Sequence, residues 1–167
     1  MDSLARLSPV SDAYATMPVA QAFDWATAGA DLPAGEWYLV AFRSTRRDGA
    51  DEDRLHHYDD LAHHEAEGAP GFVVYFKGPV ASDGTCLSFC MWDSRAHARA
   101  AAGGPAHLEA VSLIGEMYQR YELEFWRVQR AVPGAPLSFE PYDRVLSEAE
   151  RQPPPLSFDL GHGALAT

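Results

Sequence analysis

The stretch Thr85-Cys-Leu-Ser-Phe-Cys-Met-Trp92 alternates between two kinds of side chain. Successive side chains of a β-strand point to opposite faces, so each kind falls on one face. One face collects the large aliphatic and aromatic side chains Leu87, Phe89 and Met91. The other collects Cys86, Ser88, Cys90 and Trp92. The sequence therefore predicts a strand whose two faces have different uses, one packed tightly and one lined by small groups beside a large ring.

Strands and helices alternate around this strand in a recognisable order. Aromatic and β-branched content predicts strands at residues 36–45, 71–77, 85–92 and 122–130. Helical spacing and caps predict one helix at 54–67 and another from 94 to 121, broken at Gly103-Gly104-Pro105. The order β-α-β-β-α-β is that of a ferredoxin-like α+β fold, with an antiparallel sheet and both helices on one face.

The 167 residues are expected to form one domain with two extensions. Residues 1–35 form an N-terminal extension with a helix near 18–29, residues 36–130 the ferredoxin-like domain, and residues 131–167 a proline- and glycine-rich C-terminal extension. This extension holds a near-repeat, Pro136-Leu-Ser-Phe-Glu140 and Pro155-Leu-Ser-Phe-Asp159. The phrases are either arms that bury Leu and Phe or parts of a loosely ordered tail.

A second copy of the chain is the expected partner. Two helices on one face of the sheet leave the other face bare, and strands this apolar would expose a large hydrophobic patch. Sheet-to-sheet pairing would cover that patch. We therefore expect a homodimer with the architecture of a dimeric α/β barrel.

Composition excludes several classes of partner. A net charge of −11 argues against binding to nucleic acid or to an anionic membrane, because basic patches supply most of that affinity. No apolar run reaches the roughly 18 residues of a membrane span, and no signal peptide is found. Cys86 and Cys90 lie too far apart on one strand for a disulfide. A cytoplasmic protein is expected.

Two phrases carry a resemblance to a known family. Phe89-Cys-Met-Trp-Asp-Ser94, followed by a helix with Pro105-Ala-His107-Leu-Glu-Ala-Val111, resembles the antibiotic biosynthesis monooxygenase type of dimeric α/β barrel over residues 36–130. The resemblance implies an enzyme acting on an aromatic or polyketide-like small molecule, without a cofactor in some members and with haem bound or degraded in others. An asparagine typical of the first strand is missing; Arg43 and Ser44 stand there.

The resemblance also implies the two catalytic candidates, Trp92 and His107, beside a cavity between helices and sheet. A histidine titrates near neutrality and could move a proton during phenol activation, so His107 is the expected acid/base. A helix cap or a partly buried structural histidine is the alternative. Trp92 is expected as a cavity wall for an aromatic ligand, with an ordinary core tryptophan as the alternative.

Five further residues are candidates for substrate binding. Arg127 shares a predicted strand face with Leu123 and Phe125, where its guanidinium could hold a substrate anion or a haem propionate. It could equally reach water or pair with an acid, and Arg43 has the same two possibilities. Hydroxyl groups that could bond a substrate oxygen or line the pocket come from Tyr75 on the second strand, Tyr118 on the last helix, and Ser88.

The stretch Leu-His-His-Tyr-Asp-Asp-Leu-Ala-His-His at 55–64 raises the question of a metal site. Helical spacing places an apolar stripe, expected to face the sheet, at Leu55, Tyr58, Leu61, Ala62 and Ala66. All four histidines then fall off that stripe, and pairs seven residues apart lie about 10 Å apart along the helix axis. We therefore expect histidines that face water, and no metal site.

Three functions stay open. The first is an enzyme, with cofactor-independent monooxygenation as its candidate activity, and the second is a haem-binding or haem-degrading relative with His107 as iron ligand. The third is a non-catalytic dimeric binding or assembly protein. A cavity filled by bulky side chains would favour the third.

Overall fold

The computed structural model describes residues 4–142. Its helices are α1 (Val19–Ala22), α2 (Trp25–Ala28), α3 (Glu52–Glu67), α4 (Arg95–Ala101), α5 (Pro105–Ser112) and α6 (Ile114–Met117). Its strands are β1 (Gly35–Arg46), β2 (Phe72–Phe76), β3 (Thr85–Trp92), β4 (Tyr118–Arg130) and β5 (Ser138–Pro141). Two short 3-10 turns, Leu4–Arg6 and Tyr14–Thr16, precede α1.

The strands form one five-stranded antiparallel sheet in the order β2-β3-β1-β4-β5. The central strand β1 pairs with both β3 and β4, and Tyr38 lies opposite Trp92 on one side and Arg127 on the other. This arrangement confirms the α+β class and the ferredoxin-like order of the four long strands. The sheet gains a fifth strand from the C-terminal extension.

Helix starts follow the expected capping chemistry. The Asp51 carboxylate accepts the backbone N–H of Arg54 at 3.0 Å at the start of α3, two residues before the predicted cap. Ser94 caps α4 by accepting the N–H of His97 at 3.3 Å. The longest helix, α3, has 16 residues, and in residues 4–142 no helix is long and apolar enough to cross a membrane.

Two predicted helices differ from the structure. The N-terminal helix is split, because Phe23 is extended and Asp24 caps a new helix by accepting the N–H of Thr27. The last helix ends at Met117, not at 121, and the placement of Tyr118 on it is wrong. β4 begins at Tyr118 because it pairs with β1 as far as Arg46, and those ladder hydrogen bonds replace the helical ones.

The expected bare face of the sheet is covered by the chain's own N-terminal extension. Its apolar side chains pack as one core against the strand residues of that face. Buried members from the extension include Leu4, Tyr14, Val19, Phe23, Trp25 and Leu32. Those from the sheet include Trp37, Leu39, Leu87, Phe89, Met91 and Val128. The premise of the homodimer prediction is therefore wrong; a homodimer stays a prediction and would have to use another surface.

Arg43 holds this extension in place. Its guanidinium donates to the carbonyl oxygens of Ala15 and Met17, each at 2.6 Å, and pairs with the carboxylate of Glu124 on β4. The side chain is 14% exposed, so water could hardly replace these hydrogen bonds if they were lost. One arginine thus satisfies two carbonyls and a carboxylate between the extension and the sheet.

The first Leu-Ser-Phe phrase is an arm that packs on the domain. Its Ser138, Phe139 and Glu140 belong to β5 on the free edge of β4, and Leu137 and Phe139 are half-buried against the core of the covered face. The Phe139 ring lies 5.1 Å from that of Trp25. The second phrase, at 155–159, lies outside the described residues.

Replacing Arg43 by methionine should destabilise the protein strongly. Two carbonyls and Glu124 would lose their donor in a half-buried place, which costs about 2–4 kcal/mol of unfolding free energy. Urea denaturation followed by tryptophan fluorescence measures this loss. Arg120→Met is the control, because that arginine pairs with Glu122 on the exposed surface; equal midpoints for the two variants would contradict the role of Arg43.

Candidate functional site

The face of the sheet opposite the N-terminal extension, called the inner face below, forms the floor of a cavity of about 690 Å³. Helices α3, α4 and α5 supply its other walls. Alternation on β1, β3 and β4 decides which residues form the floor: Tyr38, Val40, Phe42, Ser44, Ser88, Cys90, Trp92, Tyr121, Leu123 and Phe125. The predicted division of β3 into two faces is thereby confirmed, since Leu87, Phe89 and Met91 lie on the covered side.

The strand register orders the floor from apolar to polar. Tyr38 lies opposite Trp92, Val40 opposite Cys90, Phe42 opposite Ser88, and Ser44 opposite Cys86. From Tyr38 to Ser44 the floor runs for about 20 Å, at the usual rise of about 3.3 Å per residue. The cavity therefore has an aromatic end and a polar end that lie well apart.

Trp92 forms the aromatic end together with Tyr38 and Phe72. It is 3% exposed, and its ring meets that of Phe72 edge-on at 5.4 Å. The indole N–H donates to the Cys90 sulfur at 3.1 Å, so the ring is held in place and its N–H is already engaged. Trp92 belongs to the core and lines the cavity at once.

His107 lies in the first turn of α5 and lines the same cavity. Its backbone N–H donates to Glu65 Oε2 at 3.0 Å, and the N–H of Ala106 donates to Glu65 Oε1 at 3.2 Å. The Glu65 carboxylate thus caps α5 from α3, and a Cβ at Gly104 would overlap it. Burial lowers the pKa of His107, and the nearby Glu65 charge opposes this shift. The imidazole is therefore neutral at pH 7.

A polar network on β2 and α3 crosses the side of the cavity. The Tyr75 hydroxyl donates to Asp59 Oδ1 at 2.7 Å, and Lys77 Nζ lies 2.9 Å from Asp59 Oδ2. Burial, with help from the Asp59 charge, raises the pKa of Tyr75 well above its usual range. Tyr75 is therefore a neutral hydroxyl already engaged by Asp59.

One histidine of α3 does not face water as expected. His63 is half-buried beside the cavity, and its ring packs on that of Tyr75 at 4.8 Å, whereas His56 borders the cavity but is exposed. Leu61, placed by helical spacing on the sheet-facing stripe, is 43% exposed. The helix is rotated relative to that stripe because its flank rests on β2. In the part of the chain that the structure describes, no group of three or more His, Cys, Asp or Glu could hold a metal ion.

The remaining small groups on the floor are weakly reactive. Ser88 Oγ accepts the backbone N–H of Gly78 at 3.0 Å. Burial raises the pKa of the Cys86 thiol, and it raises the pKa of Cys90 to about 11. Both cysteines are free thiols that stay protonated at neutral pH.

The two candidate arginines lie outside the cavity. Arg127 shares the floor's face, but its guanidinium stacks on the Tyr142 ring at 4.9 Å and its Nε lies 3.3 Å from Glu36. Tyr142 also meets Tyr38 edge-on at 4.8 Å, so it stands at the aromatic end beside Arg127. Arg43 points to the covered face. Five candidates line the cavity: Trp92, His107, Tyr75, Tyr118 and Ser88.

Several cavity residues were missed by the sequence prediction. Tyr121 lies in phase with Leu123 and Phe125, and a strand beginning at 118 rather than 122 would have revealed it. His63 was expected to face water, and no role was predicted for Asp59 or Glu65. Their contacts depend on how α3 rests on β2 and α5, which helical spacing alone does not contain.

Comparison with known proteins identifies the family. Residues 1–138 match the model of the PB2B2.08-like family. The chain belongs to this family. It is 28% identical over 144 residues to UPF0643 protein PB2B2.08 of Schizosaccharomyces pombe, a match over 76% of this chain. The chain spans 66% of that relative's length, just under two thirds.

Solved structures share the fold at low sequence identity. FN1347 of Fusobacterium nucleatum, provisionally named a monooxygenase, superposes with a TM-score of 0.50 at 10% identity, over 57% of this chain and 45% of that one. SnoaB of Streptomyces nogalater, a cofactor-independent oxygenase, gives 0.48 at 15% identity, over 60% and 99%. The likeness to FN1347 confirms the ferredoxin-like fold.

The pKa of His107 should lie below the usual value of about 6.5, and Glu65→Gln should lower it further. The cause is burial, which the Glu65 charge partly offsets in the unmodified protein. Histidine proton shifts followed by NMR against pH measure both, with His107→Gln to assign the signal. Glu67→Gln is the control, since that carboxylate lies near His63 and His64. A pKa above 6.5, or one unmoved in Glu65→Gln, would contradict the assignment.

Proposed function

We propose that this protein is a small enzyme that oxidises an aromatic or polyketide-like molecule with dioxygen in the cavity of its inner face. The observation that carries the proposal is a cavity of about 690 Å³ with a neutral imidazole beside an aromatic wall. Ligand sites are typically concave and mostly apolar, with a few placed polar groups. The residues of this cavity fit that description.

His107 is the proposed base. Because burial holds its pKa below the usual value, it is unprotonated at pH 7 and can accept a proton from a phenol or an acidified methylene. No hydrogen bond to its ring is formed within residues 4–142. The ring is therefore free to meet a substrate proton.

The chemistry balances with dioxygen as the only oxidant. His107 takes a C–H proton from a methylene flanked by aryl rings, and the resulting carbanion passes two electrons to dioxygen, in single steps, as the C–O bond forms. A proton completes the hydroperoxide. Loss of the second C–H proton then breaks the O–O bond and releases water. One methylene and one dioxygen thus become one carbonyl and one water, with no metal or flavin required.

The other cavity residues position the substrate. Trp92 supplies an aromatic edge of the apolar wall at the end where His107 stands. Tyr75 and Ser88 border the middle of the floor, and Tyr118 its far end. Arg127 and Arg43 have no part in this proposal, because one is covered by Tyr142 and the other serves the N-terminal extension.

Haem fits the cavity less well. An iron-ligating histidine is normally oriented by a hydrogen bond that its second ring nitrogen donates, and in residues 4–142 no group accepts one from the His107 ring. The arginine expected to hold a propionate, Arg127, is stacked under Tyr142. We derive no step through haem.

The non-catalytic alternative loses its main support. A scaffold protein would fill the space between helices and sheet with bulky side chains, and that space is open. Small-molecule binding is therefore the function that we propose for the inner face. Any protein partner would meet other surfaces.

Oxygen uptake with anthrone tests the proposed activity. Anthrone has an aryl-flanked methylene, and its conversion to anthraquinone and water should consume one dioxygen per molecule. His107→Ala should lower the rate by about 100-fold or more, the usual contribution of a positioned base. An oxygen electrode together with the absorbance of anthraquinone measures both quantities.

His57→Ala is the matched control, because His57 lies on the same α3 helix as His63 but outside the cavity lining. It should leave the rate unchanged. Uptake that persists at the full rate in His107→Ala would remove the role of His107. No uptake above the uncatalysed rate with the unmodified protein would count against this reaction.

Adding hemin should leave its Soret band as it is in buffer. We expect this because no group in residues 4–142 hydrogen-bonds to the His107 ring, and because Arg127 stacks on Tyr142 outside the cavity. A titration followed by visible absorbance, with bovine serum albumin as the positive control, measures this. A saturable Soret shift that disappears in His107→Ala would reverse the conclusion and favour the haem relative.

A further inference from the structure

The far end of the cavity holds two tyrosine hydroxyls that the proposed reaction does not use. α3 packs its first turn, at Leu55, with Leu113, Met117 and Tyr118, and its last turn, at Ala66, with Tyr38 and Trp92. His107 is tied to that last turn through Glu65. Tyr118 and Tyr121 therefore lie at the opposite end of the floor from His107 and Trp92.

Neither hydroxyl has a hydrogen-bond partner within residues 4–142. Both rings are half-buried, and they pack on one another with centroids 5.2 Å apart. Both side chains line the cavity. Neither hydroxyl oxygen is fully buried, so both are open to the cavity and available to a ligand group that bonds them.

The protonation state of these hydroxyls is settled by their surroundings. Burial raises the pKa of Tyr118 and, more strongly, that of Tyr121, where the neighbouring Tyr118 adds to the effect. Both are neutral at pH 7. Each can donate one hydrogen bond to a ligand oxygen and accept another.

The cations at this end are already neutralised. Arg46 forms an ion pair with Glu52, and Lys77 lies 2.9 Å from Asp59 and 2.8 Å from Asp60. Three carboxylates thus face two cations. A ligand carboxylate placed here would lose water without gaining a free positive charge, which is unfavourable.

We propose that Tyr118 and Tyr121 form a recognition site for an uncharged oxygen, a hydroxyl or a carbonyl, on the end of the substrate that does not react. The site rests on the proposed function, since it assumes that an aromatic molecule occupies the cavity. It selects against analogues that carry an anion or a hydrogen-bond-free group at this end. Its distance from His107 means that the substrate is long, with an apolar reacting end and a polar remote end.

Three probes of matched size test this site: 2-naphthol, 2-methylnaphthalene and 2-naphthoate. Quenching of tryptophan fluorescence gives a dissociation constant for each at pH 7. We expect 2-naphthol to bind about 3- to 10-fold more tightly than 2-methylnaphthalene, the usual gain from one hydrogen bond. We expect 2-naphthoate to bind at least about 10-fold more weakly than 2-naphthol, since its charge would be unpaired.

The double variant Tyr118→Phe/Tyr121→Phe removes only the two hydroxyls and keeps both rings. In it, 2-naphthol and 2-methylnaphthalene should bind equally, while 2-methylnaphthalene binds as it does to the unmodified protein. Tyr142→Phe is the matched control, because that ring stands beside Arg127 outside the cavity lining. It should preserve the preference for 2-naphthol.

Each outcome separates the recognition site from the proposed function. Equal binding of 2-naphthol and 2-methylnaphthalene to the unmodified protein, tighter binding of 2-naphthoate, or a preference that survives the double variant would each overturn the site while leaving an aromatic-binding cavity. Failure of all three probes to bind would overturn the aromatic-binding function, and the recognition site with it.

Discussion

Alternation of side chains along the central strand β1 decides which residues form the covered core and which form the floor of the cavity. Trp37, Leu39, Ala41 and Arg43 point to one side, and Tyr38, Val40, Phe42 and Ser44 point to the other. Since β1 pairs with both β3 and β4, its phase is imposed on both neighbours. A slip of one residue would exchange the aromatic core of the covered face with the floor of the cavity.

The two faces of the sheet have different roles, one in stability and one in the proposed function. The N-terminal extension buries the apolar face with its own leucines and aromatic rings, and Arg43 secures it by satisfying two backbone carbonyls. That face therefore needs no second subunit to shield it from water. The inner face borders the cavity, which has the indole of Trp92 at one end and the hydroxyl of Tyr121 at the other. Stability and function are thus assigned to opposite sides of one sheet.

The sequence predicted local features well and long-range packing poorly. The β3 strand and its two faces followed from period-two alternation, and a family resemblance indicated that Trp92 and His107 border one cavity. The start of β4 was misjudged because Tyr118 and Tyr121 suit either a helix or a strand, and only pairing with β1 decides between them. The stacking of Arg127 on Tyr142 and the rotation of α3 onto β2 depend on contacts between distant segments, which no local pattern contains.

The central claim is that an aromatic ligand binds on the inner face of the sheet and not on the face covered by the extension. The four tryptophans test it directly, because Trp92 lines the cavity while Trp25, Trp37 and Trp126 pack on the covered face. Their indole N–H signals can be followed by ¹⁵N-edited NMR during addition of anthrone under nitrogen, because its methylene must reach His107 at the end of the cavity that Trp92 lines. The account predicts a saturable shift of the Trp92 signal, assigned with Trp92→Phe, and small changes in the other three. A shift confined to Trp25, Trp37 or Trp126 would contradict it.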